Sequence, residues 1–130
     1  MIRVLLVDDQ ELIRQALRKL LEVEDGIEVA GEAGDGVEAL AVLAARPADV
    51  ALVDARMPRM DGVELVTRMA ADHPGVAVLM LSTFDEDEYI FGALRAGARG
   101  YLLKDASPDE LVTAIHKVAN GQTVLGDVVA

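Results

Sequence analysis

Short apolar runs alternate along the chain with longer segments in which apolar residues return every three or four positions, and there are five of each. This is the pattern of strands alternating with helices, an α/β fold. The predicted strands are Ile2-Val7, Glu28-Ala30, Val50-Val53, Val76-Leu81 and Gly100-Leu103. Most are apolar throughout rather than alternating, as expected of parallel strands covered on both faces. The first helix is predicted over Glu11-Leu21, with Leu12, Ala16, Leu17, Leu20 and Leu21 as its buried stripe, opposite Arg14, Arg18 and Lys19. Three other helix starts carry capping-box spacing: Asp35 before Glu38, Asp61 before Glu64, and Ser107 before Glu110 with Pro108 at the first helical position. The fourth helix is expected to open on the acidic run Asp85-Glu86-Asp87-Glu88, whose charge suits the positive end of a helix dipole. Stops are marked by Arg46-Pro47, His73-Pro74-Gly75, Gly97 and Asn120-Gly121. Right-handed crossovers between such units favour a flavodoxin-like, doubly wound five-stranded parallel sheet of order 2-1-3-4-5 with five helices. That fold puts ligands beyond the carboxyl ends of its strands.

Composition narrows the function. A length of 130 residues suits one compact domain. The apolar runs fall short of the roughly 18 to 20 residues a membrane span requires, and the N-terminus lacks the layout of a signal peptide. A soluble, cytoplasmic protein is therefore expected, with no membrane association. Without cysteine there are no disulfides, thiol nucleophiles or sulfur-based zinc sites. A formal charge of -11 repels nucleic acid backbones, and the four aromatic residues, Phe84, Tyr89, Phe91 and Tyr101, offer no base-stacking platform. His73 and His116 fall on a turn and a helix and read as surface residues.

The candidate chemistry lies at the strand ends: Asp8 and Asp9 after strand one, Asp54 after strand three, Ser82 after strand four and Lys104 after strand five. A single aspartate there would be an ordinary turn residue, but these five converge on one edge of the sheet. Three gathered carboxylates repel one another unless a cation neutralises them. Oxygen-only ligands favour a hard ion, Mg²⁺ above all; Ca²⁺ is the alternative, although the loop lacks EF-hand spacing. With Lys104 as a cation and Ser82 as a hydroxyl donor, the edge could hold a phosphoryl group. No Ser-His pair, cysteine or nucleotide-cradling glycine loop competes as nucleophile, which leaves a carboxylate, and Asp54 stands alone on the central strand.

These residues resemble the receiver domain of two-component response regulators over about residues 2 to 120. The likeness rests on Val7-Asp8-Asp9, on Val53-Asp54 followed by Met57-Pro58 and Met60-Asp61-Gly62, on Leu81-Ser82-Thr83, and on Gly100-Tyr101-Leu102-Leu103-Lys104. The resemblance implies that Asp54 takes a phosphoryl group from a histidine kinase. Asp9 and Asp54 would bind Mg²⁺ directly, Asp8 mainly through water, with the Arg56 backbone carbonyl as the third protein ligand. It also implies a switch in which Tyr101 turns inward as the Ser82 hydroxyl moves toward the phosphoryl group. A cis bond between Lys104 and Asp105 is suggested too, although Asp105 stands where the family often has Pro.

The stretches Thr83 to Tyr89 and Gly97 to Asp105 are similar to the subgroup with a C-terminal helix-turn-helix domain of the LuxR/NarL type. The resemblance thus implies a transcriptional output and self-association on activation, with a homodimer through helix four, strand five and helix five, or through helices one and five. Residues 1-120 are expected to be the receiver and 121-130 the start of a linker, DNA being reached only through a domain this chain does not contain. The alternatives are a stand-alone regulator and a pseudo-receiver acting only through protein contacts. A haloacid dehalogenase-type phosphatase fits less well, because Ala55 and Arg56 follow Asp54 where a second acid is needed. Flavin binding fits poorly because Asp8-Asp9-Gln10-Glu11 would repel the phosphate. Arg56 and Phe84, beside the acceptor, are expected to tune the lifetime of the phosphoryl group.

Overall fold

The computed structural model describes residues 1–83 and 87–125, with backbone alone for 87–89. Phe84 and the side chains of the acidic run Asp85 to Glu88 lie outside the described residues. Five strands, β1 (Ile2–Val7), β2 (Ile27–Ala33), β3 (Val50–Asp54), β4 (Ala77–Ser82) and β5 (Gly100–Leu103), form one parallel sheet ordered β2-β1-β3-β4-β5. The helices between and after them are α1 (Glu11–Glu22), α2 (Gly36–Ala45), α3 (Gly62–Asp72), α4 (Asp87–Ala96) and α5 (Pro108–Ala119). No helix among the described residues is long and apolar enough to cross a membrane.

Successive strand residues point to opposite faces, so an all-apolar strand feeds two cores. Leu5, Val7, Val53, Met80 and Tyr101 pack with Ala39, Leu43, Leu65, Met69 and Ile90, residues of α2, α3 and α4. Val4, Leu6, Leu52, Leu79 and Leu102 pack on the other face with Leu21, Leu111, Ile115 and Val118, residues of α1 and α5. Burial on both faces fixes the register, because a one-residue slip would exchange the two sets.

Three expected helix starts form as read. Asp35 and Asp61 accept the backbone N–H groups of Glu38 and Glu64, each at 2.9 Å, while Ser107 and Glu110 complete both arms of a capping box. Such caps are worth about 1 kcal/mol each.

Beyond one-residue shifts at the ends of elements, such as β3 closing on Asp54 and β4 running Ala77–Ser82, the structure departs from the sequence reading at three places. β2 runs past Ala30 to Ala33, because its backbone continues to pair with β1 across a register shift between Val4 and Leu5 that leaves Ala30 unpaired. Its polar Glu28 and Glu32 are those of an edge strand with one solvated side. On α1, Leu12 is 84% exposed and Ala16 is exposed as well, whereas Leu17 and Leu20 pack on the core and Leu21 is fully buried. The helix is rotated so that Arg14 and Arg18 lie over β2, where both pair with Glu32. Finally, the bond between Lys104 and Asp105 is trans. With Asp105 instead of Pro, a cis bond would cost about 2.5 to 4 kcal/mol.

Candidate functional site

The parallel register carries the ends of four strands to the same edge. Val7 lies beside Val53 in β1 and β3, so Asp8 and Asp54 emerge as neighbours. Asp54 pairs with Leu81, and Ser82 with Leu103, which sets Ser82 and Lys104 beside them. The backbone N–H of Lys104 donates to the Ser82 carbonyl at 2.8 Å. Asp8, Asp54 and Ser82 are 2%, 4% and 0% exposed, while Asp9 is open to solvent. Carboxylate oxygens of Asp8, Asp9 and Asp54 lie within 4.8 Å of one another.

Lys104 Nζ sits 3.0 Å from Asp54 Oδ1 and 3.7 Å from Asp8 Oδ2. Asp8 Oδ1 accepts the Gln10 N–H at 2.8 Å, closing the turn into α1, and Asp54 Oδ1 is 3.4 Å from the Arg56 N–H. Two buried atoms keep free capacity: Asp8 Oδ2 and the Ser82 hydroxyl have no hydrogen-bond partner among the described residues. Burial pushes the Asp54 carboxyl up to about 6, and the nearby Asp8 charge adds to the rise while the Lys104 hydrogen bond opposes it.

The edge is thus a pocket of excess negative charge, partly answered by one ammonium. It fits a divalent cation: three carboxylate ligands converge, and the buried Asp8 Oδ2 lacks the hydrogen bond that its desolvation demands. Asp9, Arg56, Met57, Pro58 and Asp61 line an open depression over it.

All the expected edge residues come together: Asp8, Asp9, Asp54, Ser82 and Lys104. Arg56 stands two residues after Asp54 in the loop to α3 and is exposed. Tyr101, one strand further out, is fully buried in the layer shared with α3 and α4.

The structure adds residues that sequence reasoning missed. Arg14 donates from its guanidinium to the Asp8 backbone carbonyl and pairs with Glu32 at 3.3 Å, so it braces the acidic turn from behind. Eighteen residues separate Arg14 from Glu32, and no local spacing announces the pair. Asp35, read only as a cap, also holds Arg59, whose backbone is left-handed at φ 68°. Met60 packs over Gly36 so closely that a Cβ there would lie 2.6 Å from its sulfur. At the far end of the same loop, a Cβ on Gly62 would come within 2.9 Å of the Asp54 carbonyl oxygen. The loop after Asp54 is therefore clamped to the first turn of α2 and closed against its own strand.

Comparison with known proteins accounts for the arrangement. The response regulator receiver domain model matches residues 4–116. The chain is 42% identical over 129 residues to YxjL of Bacillus subtilis, which is described as an uncharacterized transcriptional regulatory protein; the match covers 99% of this chain and 59% of YxjL. It is 41% identical to the response regulator UvrY of Escherichia coli O6:H1, over all of this chain and 60% of UvrY. The crystal structure of a LuxR-family two-component response regulator from an Aurantimonas species superposes with a TM-score of 0.92 at 28% identity, covering 99% of this chain and 93% of that one. The chain thus spans about 60% of the length of the curated relatives it matches. On its motifs, its sheet order and its family match, the chain belongs to the response regulator receiver domain family.

Proposed function

We propose that the domain accepts a phosphoryl group on Asp54 from the phosphohistidine of a partner kinase, in a Mg²⁺-dependent reaction, and thereby switches its contacts. The observation that carries this reading is the buried Asp54 carboxylate held against Lys104 Nζ, with two further carboxylates beside it and an unengaged Ser82 hydroxyl at the next strand end. Asp54 attacks in its ionised form: a P–O bond forms at the carboxylate, the P–N bond to the kinase imidazole breaks, and the departing nitrogen takes a proton from solvent. Lys104 and the Ser82 hydroxyl are the chain's own donors for the oxygens of the transferred group. Asp8, Asp9, Asp54 and the Arg56 carbonyl would hold Mg²⁺, which would supply positive charge against the gathered carboxylates and the incoming phosphoryl group.

The output we propose is transcriptional, because the relatives are named as transcriptional or response regulators and extend beyond the matched length. In this reading residues 1–120 are the receiver, and DNA contact belongs to a domain outside the chain. Phosphorylation acts in the cytoplasm and promotes a homodimer, with Ser82 and Tyr101 as the switch pair.

Intact mass after treatment with a small-molecule phosphodonor and Mg²⁺ tests the acceptor. One phosphoryl adduct should appear in the native chain and be absent from Asp54→Ala. An adduct persisting in the variant would exclude Asp54, and none in either would favour a domain that works through protein contacts alone. Arg56, exposed at the rim of the depression, is proposed to limit the hydrolytic water. Arg56→Ala should shorten the adduct's half-life about threefold in a mass time course, as expected for a barrier change of less than 1 kcal/mol; an unchanged half-life would remove that role.

A further inference from the structure

The outer edge of β5 is occupied. β5 pairs with β4 on one side, and on the other Val124 forms a parallel bridge to Gly100. The Tyr101 N–H donates to the Val124 carbonyl at 2.9 Å, and the Val124 N–H donates to the Arg99 carbonyl at 3.2 Å. Two more features bring the segment there. Gly121, at φ 85°, turns the chain after α5, and the Arg99 guanidinium reaches the Gly121 carbonyl at 3.4 Å. Val124 itself packs against the core layer that includes Leu102 and Val118.

Gly100 is what permits this approach. A Cβ at that position would collide with the Val124 carbonyl oxygen and lie 3.0 Å from its nitrogen. A glycine inside a strand weakens the strand and is expected where another backbone comes close. Here the close backbone is the chain's own.

The docked segment sits on the strand that leads to the acidic edge. Arg99 and Tyr101, on either side of Gly100, carry its hydrogen bonds, and three residues on from Tyr101, Lys104 touches Asp54. We propose that the outer edge of β5 is a docking surface for the chain's own segment Gln122–Leu125, and that phosphoryl transfer to Asp54 tightens its hold. The second clause rests on the phosphoacceptor reading above. A phosphoryl group at Asp54 gives the Ser82 hydroxyl a partner and holds Lys104 more firmly, so it fixes the ends of β4 and β5 together. An edge already ordered costs less to pair with than one still moving. The docked arrangement is the one seen with Tyr101 fully buried. Backbone pairing on a sheet edge would then report the state of the acidic site to residues beyond Val124.

Amide hydrogen exchange read residue by residue by NMR, with intact mass on the same samples, tests both clauses. In the untreated protein, Gly100→Ala and Val124→Pro should each speed exchange of the Tyr101 amide at least tenfold while the Leu6 amide in the sheet centre is unchanged. The proline variant leaves β5 intact should the alanine disturb the fold. Tyr101 protection retained in Val124→Pro would overturn the docking. After phosphodonor treatment, the Val124 amide of the native chain should exchange at least threefold more slowly, and Asp54→Ala should show no change. An adduct by mass with Val124 exchange unchanged or faster would overturn the coupling and leave the acceptor standing. Absence of the adduct would remove the phosphoacceptor reading and the coupling with it, while the two variants would still decide the docking.

Discussion

Asp54→Asn should make the metal-free protein more stable at pH 7.5, by about 2 kcal/mol in urea denaturation. Burial first, and then the Asp8 charge, raise the Asp54 carboxyl to about 6 in the folded chain, from an ordinary value of 3.8. Between those values the native state binds more protons than the unfolded chain. The favourable contribution is therefore complete below about pH 4 and is lost as the pH rises through 6. A shift of that size corresponds to about 3 kcal/mol at most, since one pKa unit is about 1.4 kcal/mol. Asparagine keeps the shape and carries no charge to bury. The two stability curves should lie close together near pH 4, separate up to about pH 6 and run parallel above it. Mg²⁺ should stabilise the native chain at pH 7.5, by about 2.7 kcal/mol at 100-fold excess over its dissociation constant, and the variant far less. A variant less stable than the native chain at pH 7.5 would mean that the Lys104 bond outweighs the cost of burying Asp54.

Lys104→Met should do the opposite, costing about 2 to 4 kcal/mol at pH 7.5 without metal. The ammonium stands 3.0 Å from Asp54 and 3.7 Å from Asp8, two carboxylates almost wholly removed from solvent. Removing one partner of a buried pair leaves uncompensated charge, which costs more than the pair itself contributed. The loss should shrink toward pH 5 as Asp54 takes up a proton. It should also shrink in the double variant with Asp54→Asn, since both changes act on one contact, so the two effects will not add. Strict additivity of the two free energies would show that Lys104 stabilises the fold through something other than Asp54.

The five residues of the acidic edge were legible because the fold does their gathering. Once apolar runs and caps identify parallel strands, whatever follows each strand must arrive at the same edge, however distant in sequence. Asp8 and Lys104 meet by that rule alone. Less legible was anything set by side chains crossing between elements. Leu12 and Arg14 both fit a plausible helical stripe, and only the presence of Glu32 on β2 draws the arginine inward and turns the leucine out. β2 is expected only over Glu28-Ala30, whereas backbone pairing with β1 carries the strand on through Gly31 and Glu32 to Ala33. The docking of Val124 on β5 was equally silent in sequence: a short stretch after the Asn120-Gly121 stop reads as linker until a specific edge is there to receive it.

The loop from Ala55 to Asp61 bears on how such a site could be moved. Its ends are tied by the Gly62 N–H donating to the Ala55 carbonyl at 3.1 Å, its middle by Arg59 on Asp35, and Met60 lies over Gly36. Its shape is thus borrowed in part from α2, an element that contributes nothing to the acidic cluster. A designer grafting the three aspartates and the lysine onto another parallel sheet would carry the charges but lose the mould. The smallest portable unit includes the Asp35-Gly36 turn, and the loop's seven-residue length is a fixed gauge rather than a free variable.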